Sequence, residues 1–387
     1  MSDADRVNIA FVEEVTFGTS PSASMSRLRF TSESLNMETD TVQSAEITSD
    51  RQVKDLIRTN VRGVGDVNVE MSYDVIDAFL QAALFSAAWS AQVNVLSETV
   101  TPTVSGNKFV AASGTPWSTF SIGQWISVSG CVNAANNGLF KIESISTVNL
   151  GVSGGVLAAE SSVSANFQMG AQVVNGTTLN TYTIEREYAD LSSEFEVFVG
   201  MAVDQLSMNI AVNSIITAVL SMVGKSSSSA TSSPGSGYTA APTNDVMNTI
   251  DHVAKFIEGD GSNTEMDITA FTMQIANNLR TRLVVGTLGA ASIGAGKFSP
   301  TGTLQKYFTT KTLMDKYLNQ TATSLAVTLI ISDAAYVIEF PSVKFNSGQR
   351  VAGGENTDII ADLSWTALKH ATEAITMRIT KWSDITV

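Results

Sequence analysis

The 387-residue sequence predicts a mainly β protein: a β-sandwich or barrel module with flanking short α-helices, present twice, plus an inserted small β-barrel or Ig-like domain. Three observations carry that prediction. Only 16% of residues are charged while 44% are hydrophobic, and Ser, Thr, Gly, Val and Ala dominate, which suits strands and turns better than long surface helices. Several segments alternate apolar and polar residues with the two-residue period of a half-buried strand. Finally, one strand-then-helix unit occurs twice.

Its first copy is residues 65–84. Val67, Val69 and Met71 alternate with Asn68, Glu70 and Ser72, and from Tyr73 on Val75, Ile76, Phe79, Leu80 and Leu84 recur at helical spacing, the helix ending around Trp89. The second copy is residues 302–320. There Leu304, Lys306 and Phe308 precede Leu313, Met314, Tyr317 and Leu318. Aligning the halves sets Leu35 and Met37 opposite Phe271 and Met273, and Gly65 opposite Gly302. After one gap, Val75, Asp77, Phe79 and Leu80 fall opposite Leu313, Asp315, Tyr317 and Leu318. The order of elements reads as duplication. Two unrelated β domains sharing a strand–helix step are the competing explanation.

Composition shifts set the boundaries. From about residue 94 to 170 charges are few, and "VSGNKFVA", "GQWISVSG", "NAANNGLFKIESIS" and "VNLGVSGG" read as short strands punctuated by Gly and Asn. This is an inserted small β domain. "KSSSSATSSPGSGYTAAPTND" has the composition of a flexible linker or long exposed loop. The expected domains are therefore a discontinuous first module at 1–93 and 171–225, the insertion at 94–170, a linker at 226–244 and a second module at 245–387.

Several function classes drop out. Acidic residues come early in "MSDADRVNIAFVEE" and no continuous apolar run follows, so no secretory signal is expected there. The apolar stretch 201–223 is interrupted by Asp204, Gln205, Asn209 and Asn213, and alternating strands account for it better than a membrane helix. A single cysteine, Cys131, allows neither an internal disulfide nor a cysteine metal cluster, which fits synthesis in a cytoplasm. A net charge of −14 opposes any role in gripping nucleic acid, because affinity there scales with the cations presented.

Chemistry is scarce. His252 and His370 are the only histidines, and neither adjoins a nucleophile motif. "GKS" at Gly224, Lys225 and Ser226 lacks the glycine a phosphate loop needs five residues earlier, where Val219 stands. "EGDGSNTEMD" misplaces the oxygens of a calcium loop and reads as an exposed acidic turn. No catalytic residue, cofactor or metal is expected. One basic stretch stands out: "EITSDRQVKDLIRTNVRG" concentrates Arg51, Lys54, Arg58 and Arg62, on a helical face or along an extended loop. A long loop in the second half carries Arg280, Arg282 and Lys297. Loops too long for simple hairpins point to docking arms whose basic residues reach onto an acidic neighbour. A solvated surface loop is the plainer reading.

"VQSAEITSDRQVKDLIRTNVRGVGDVNVEMSYDVIDAFLQAALFSAAW" resembles the N-terminal signature of siphophage tail tube proteins. "PSVKFNSGQRVAGGENTDIIADLSWTAL" is similar to that family's C-terminal strands, and "IGQWISVSGCVNAANNGLFKIESIS" to the β insertion many members carry. The resemblance implies a β-sandwich with a flanking helix whose copies form rings, stacked into a hollow tube that conducts DNA during ejection. Long loops would enter the next ring, with Arg51, Lys54, Arg58, Arg62, Arg280 and Arg282 as contact residues. It further implies a virion component of a phage tail, made in the host cytoplasm and not a membrane protein. A tape measure protein and DNA would pass through the lumen without specific binding, and tail terminator and distal tail proteins would cap the ends. Two modules per chain point to a trimer with pseudo-hexameric symmetry ahead of a hexamer, with the insertion facing outward and dispensable for assembly. The alternatives are a surface-exposed β-rich tail component or adhesin that binds a receptor or glycan, and a tail-associated glycan hydrolase.

Overall fold

The computed structural model describes residues 3–259, 263–264, 267–350 and 354–385. Strands β1 (Val7–Glu13), β2 (Ser24–Leu28), β3 (Ser32–Glu33), β4 (Asn36–Gln43) and β5 (Leu56–Glu70) lead to helix α1 (Asp77–Ala83). β6 (Val93–Thr103), β7 (Lys108–Ala111), β8 (Trp125–Ser129), β9 (Gly138–Ile145), β10 (Asn149–Ser153) and β11 (Val163–Met169) follow. The chain returns through β12 (Ala171–Val174), β13 (Tyr182–Tyr188), β14 (Phe195–Ala211), β15 (Thr217–Val223), β16 (Ser226–Ala230) and β17 (Gly237–Thr239). Next come β18 (Val253–Glu258), β19 (Asn263–Thr264), β20 (Ile268–Ala276), β21 (Arg280–Arg282), β22 (Ser292–Gly294), β23 (Ser299–Tyr307) and helix α2 (Thr312–Leu318). The last strands are β24 (Thr323–Ile331), β25 (Ala334–Arg350), β26 (Ile360–Ala367) and β27 (Arg378–Trp382).

Eight of these strands form one antiparallel inner sheet in the order β4-β5-β15-β14-β20-β23-β26-β25. Its first four strands and its last four have the same connectivity: the first, second, fourth and third inner strands of each half lie side by side. Two outer sheets repeat as well, β1-β13-β14-β16 and β18-β24-β25-β27. The 17-residue strands β14 and β25 belong to both layers, pairing outward with their first residues and inward with their last. Core residues from both halves fill the space between layers as one cluster, from Val67, Phe79 and Leu206 to Leu304, Phe345 and Trp365.

The correspondence extends to single residues. Gly65 faces Met222, which faces Val203; Gly302 faces Trp365, which faces Phe345. A β-bulge follows at once in both halves, between Val203 and Gln205 and between Phe345 and Ser347. A bulge bends and twists its strand, so both long strands turn from layer to layer at the same step. This register sets Met37, which faces Gly63, against Ile275, which faces Pro300. It also sets Leu35 against Met273. The pairing with Phe271 and Met273 expected from sequence is thus off by two residues, a slip that keeps every side chain on its own face.

The helices depart further from expectation. α1 starts at Asp77 instead of Tyr73, because Asp74 adopts a φ of 65°, outside the helical region. It ends at Ala83, and Trp89 folds back to donate from Nε1 to the Asp77 carbonyl. Leu80 is 1% exposed whereas Leu318 is 66% exposed, so the two are not equivalent; Leu313 and Met314 fill the buried positions of α2. The Ser/Gly/Pro-rich connector also differs from a free linker. Its serines form β16, which pairs with the start of β14, and β17 runs parallel to β2. Backbone hydrogen bonds need no particular side chain, so a segment without apolar periodicity can still complete a sheet.

β6 to β11 close into a six-stranded barrel around their own core, including Phe109, Trp117, Phe140 and Phe167. Although it interrupts the first half, the barrel docks on the second. Its Trp125 and Leu139 are buried against Ile257, Val337 and Trp382, and Trp382 donates from Nε1 to the Gln168 carbonyl. α1 is tied to the second half as well. The buried Asp77 carboxylate accepts from Tyr336 Oη and Lys381 Nζ, and burial pushes it up to about 6 against the pull of Lys381.

Candidate assembly surfaces

β4 and β5 continue beyond the sheet as a two-stranded arm closed by residues 44–55. Arg51 sits in that closing loop, at a φ of 60°. Lys54 pairs with Glu46 at 2.5 Å and Arg62 with Glu38 at 2.6 Å, all well exposed. Arg58 lies on β5, in extended rather than helical backbone. Ion pairs of this exposure contribute about 0.2–1 kcal/mol each. The arm's more unusual feature is apolar: Val42, Ile47, Val53, Leu56 and Ile57 are all exposed, Ile47 at 98%. Sequence reasoning singled out the charges and missed these aliphatics. A polar loop with five large aliphatic residues and no core to receive them was the available signal.

Arg280 and Arg282 form β21, one strand of a small hairpin with β22 in the corresponding connection of the second half. Arg280 donates to the Ala295 carbonyl and Arg282 lies against Gly294. This tip too is apolar, exposing Leu283, Val284, Val285 and Leu288. Its root leans on the first arm, since a Cβ at Gly289 would lie 3.3 Å from Val61 Cγ2.

One face of the inner sheet packs on the core; the other is open. In residues 217–223, 205–211, 270–276 and 299–305, the open face presents only Ser, Thr, Asn, Gln, Ala and Val. Two pairs of these polar groups are bonded across strands. The Thr272 and Thr303 hydroxyls are 2.7 Å apart, and Gln274 Nε2 donates to Gln205 Oε1 at 2.6 Å. A groove of about 490 Å³ runs along this face, lined by Ser207, Thr272, Thr303 and Ser364 among others. At the sheet's two ends, β4 and residues 347–350 of β25 have no ladder partner on their outer sides among the described residues.

A cavity of about 770 Å³ lies between the barrel and the second half, beside their packed contact. Beside it Lys141 Nζ meets Glu339 at 2.7 Å and Glu373 at 2.9 Å, while Arg378 meets the same carboxylates at 2.9 and 2.7 Å. Arg378 also donates to the Gly123 carbonyl of the barrel. Burial opposes the charge on Lys141, but the two glutamates outweigh it and raise its pKa. Likewise Lys141 and Arg378 overcome burial and hold Glu373 below its ordinary value. Glu373, clamped in this way, is a poor proton donor at neutral pH, unlike the acid of a glycosidase's split carboxylate pair.

The two histidines have structural partners. His370 Nδ1 accepts from the Glu373 amide and His252 Nδ1 from the Asn248 amide. Cys131 is buried in the barrel, where desolvation and then Glu160 push its thiol up to about 11. The acidic turn "EGDGSNTEMD" lies largely outside the described residues. Among the described residues no cluster of His, Cys, Asp or Glu could hold a metal, and no helix is long and apolar enough to cross a membrane.

No curated protein matches the chain. A family model described as phage tail tube protein matches residues 4–367.

Proposed function

Because the chain belongs to the phage tail tube protein family, and is thereby a structural protein of a phage tail, we propose that it is a siphophage tube subunit. In this reading its copies close into rings, and the rings stack into the conduit for DNA ejection. One observation carries the proposal: two four-strand repeats already share a continuous inner sheet, and among the described residues both end strands of that sheet lack an outer ladder partner. Unpaired edges are hazards for a solitary particle and contacts for a ring. Two modules per chain favour three copies around the axis over six.

The open face of the inner sheet would line the lumen. Its central strands offer DNA no cation to exchange for counterions and no aromatic ring on which a base could stack. The flanking strands carry Asp66, Glu70 and Asp362 on the same face beside Arg62 and Lys344, so transit would rely on a neutral, internally bonded centre flanked by carboxylates that repel phosphate. A tape measure protein would share that passage, and tail terminator and distal tail proteins would meet the first and last rings. The barrel, docked on the outer layer, would face outward. Excising it would uncover Trp382, Ile257 and Val337 and leave Glu339 without Lys141, so its removal costs more than an independent appendage would. The adhesin reading lacks a comparable feature.

The two arms would reach the next ring through their aliphatic tips. Replacing Ile47 and Val53 by serine is expected to leave soluble, folded subunits whose rings no longer stack. Reversing Lys54 and Arg62 to glutamate should change subunit stability by less than about 1 kcal/mol per pair. Electron microscopy reads out the stacking and denaturant titration the stability; loss of stacking only in the charge variant would favour contacts through Arg51, Lys54, Arg58 and Arg62 over the aliphatic tips. Negative-stain imaging of concentrated wild-type protein tests the function itself. Hollow tubes are expected, and isolated particles at every concentration would refute it.

A further inference from the structure

The junction between the two halves of one chain is itself a worked example of how two modules meet. There the end of β14 pairs antiparallel with β20, Gln205 with Ala276, Leu206 with Ile275, Ser207 with Gln274 and Met208 with Met273. The bulge residue Asp204 locks the seam, accepting the Asn277 amide on its carbonyl at 2.8 Å and the Leu279 amide on Oδ1 at 2.7 Å. The residue correspondence between halves maps 204–208 onto 346–350, and 273–276 onto 35–38. Among the described residues, 36–38 and 347–350 have no ladder partner on their outer sides, whereas the Leu35 amide and carbonyl are held by Glu33 Oε2 and Arg186.

From this we infer that the edge of β25 in one copy pairs with β4 of the next in the register of the internal seam. Ser347 then faces Glu38, Gly348 faces Met37 and Gln349 faces Asn36, and the ladder stops short of Leu35, whose amide and carbonyl are bonded within its own chain. The inference rests on the ring reading and specifies its contact.

Side-chain chemistry agrees with this register. Leu206 and Ile275 fill the internal seam on the core face; at the outer seam Gly348 and Met37 take their places. A Cβ on Gly348 would lie 3.1 Å from both Leu363 and Tyr317 and 3.4 Å from Met314. At Gly348 the core face therefore has no side chain of its own and is covered by apolar neighbours, while Met37 is only partly buried within its chain. An unbranched thioether can lie along such an apolar surface. On the open face Gln349 and Asn36 replace Ser207 and Gln274, again neutral hydrogen-bonding groups. At the bulge, Asn346 retains the side-chain oxygen that Asp204 uses.

The test is a disulfide. Asn36→Cys and Gln349→Cys are placed in one chain, whose native Cys131 is buried, and assembled tubes are mildly oxidised. Directly opposed strand residues fall within the Cα separations a disulfide spans. The expected products are covalent dimers and closed trimers on denaturing gels, absent from dilute monomer. Ser207→Cys with Gln274→Cys is the control, linking within the chain. Tubes that form but do not cross-link at 36 and 349 would overturn the register and leave the ring reading intact. Absence of tubes and cross-links, with wild-type protein also failing to assemble, would overturn the ring reading. If only the double variant fails to assemble, hydrogen exchange on wild-type tubes decides. Amides in 36–38 and 347–350 should exchange at least about tenfold more slowly than in monomer, and unchanged rates would sink the seam.

Discussion

Arg378→Met is expected to cost about 3–5 kcal/mol, the range for breaking a buried ion pair from one side. The substitution leaves Glu339 and Glu373 buried with Lys141 alone between them and removes the donor to the Gly123 carbonyl. Two carboxylates cannot share one ammonium as they share an ammonium and a guanidinium, so one must take up a proton or recruit water. Adding Glu373→Gln should recover part of the loss, because it removes the uncompensated charge along with its partner. Guanidinium denaturation of the three proteins reads this out. A loss under about 1 kcal/mol would mean that the cluster behaves like a solvated surface network. The same residues join the barrel to the second half, so a destabilised cluster should also expose the barrel to proteolysis before the sandwich unfolds.

Gly302→Val should be of comparable size, about 3 kcal/mol or more, as an overpacking defect that its surroundings cannot absorb. A Cβ at this position would lie 2.0 Å from the Thr272 carbonyl oxygen and 2.5 Å from the Trp365 ring. Backbone cannot retreat without breaking the β20·β23 ladder, and Trp365 is wedged between Phe271 and Phe340. The effect should be visible in near-ultraviolet circular dichroism as loss of the Trp365 signal. Gly237→Val is the matched control: a Cβ there meets nothing within 4 Å, and stability should stay within about 0.5 kcal/mol of wild type. Equal losses at both positions would show that glycine is needed for reasons other than close approach.

Gly302 also illustrates what the sequence made legible. Its match with Gly65 was visible as a letter identity, and both stand where a side chain would strike the neighbouring strand. Alternation in Val67, Val69 and Met71 revealed which face of β5 is buried, since burial alone imposes a two-residue period. The helices were harder to place. Tyr73, Val75 and Ile76 are buried and so mimic helical spacing, although a left-handed Asp74 keeps them out of the helix. Strands built on Ser226 to Ala230 left no apolar trace, because their partners are backbone groups. Two features lay beyond one-dimensional reading. The salt cluster joins Lys141 to Glu339 and Arg378, about 200 residues away in sequence and paired only through the fold. The seam geometry exists only once the bulges at Asp204 and Asn346 can be superposed. The basic residues of the arms were easy to see because they are rare in this chain. The aliphatic tips around Ile47 and Val285 hid among many core aliphatics of identical type.

The central claim is that each chain supplies two equivalent sectors to a closed inner sheet. Counting chains per ring by electron cryomicroscopy of assembled tubes tests it most directly. The account predicts three chains per ring and six similar sectors around the lumen. Six chains per ring, or an inner wall in which β4 and β25 of neighbouring copies do not meet, would contradict it.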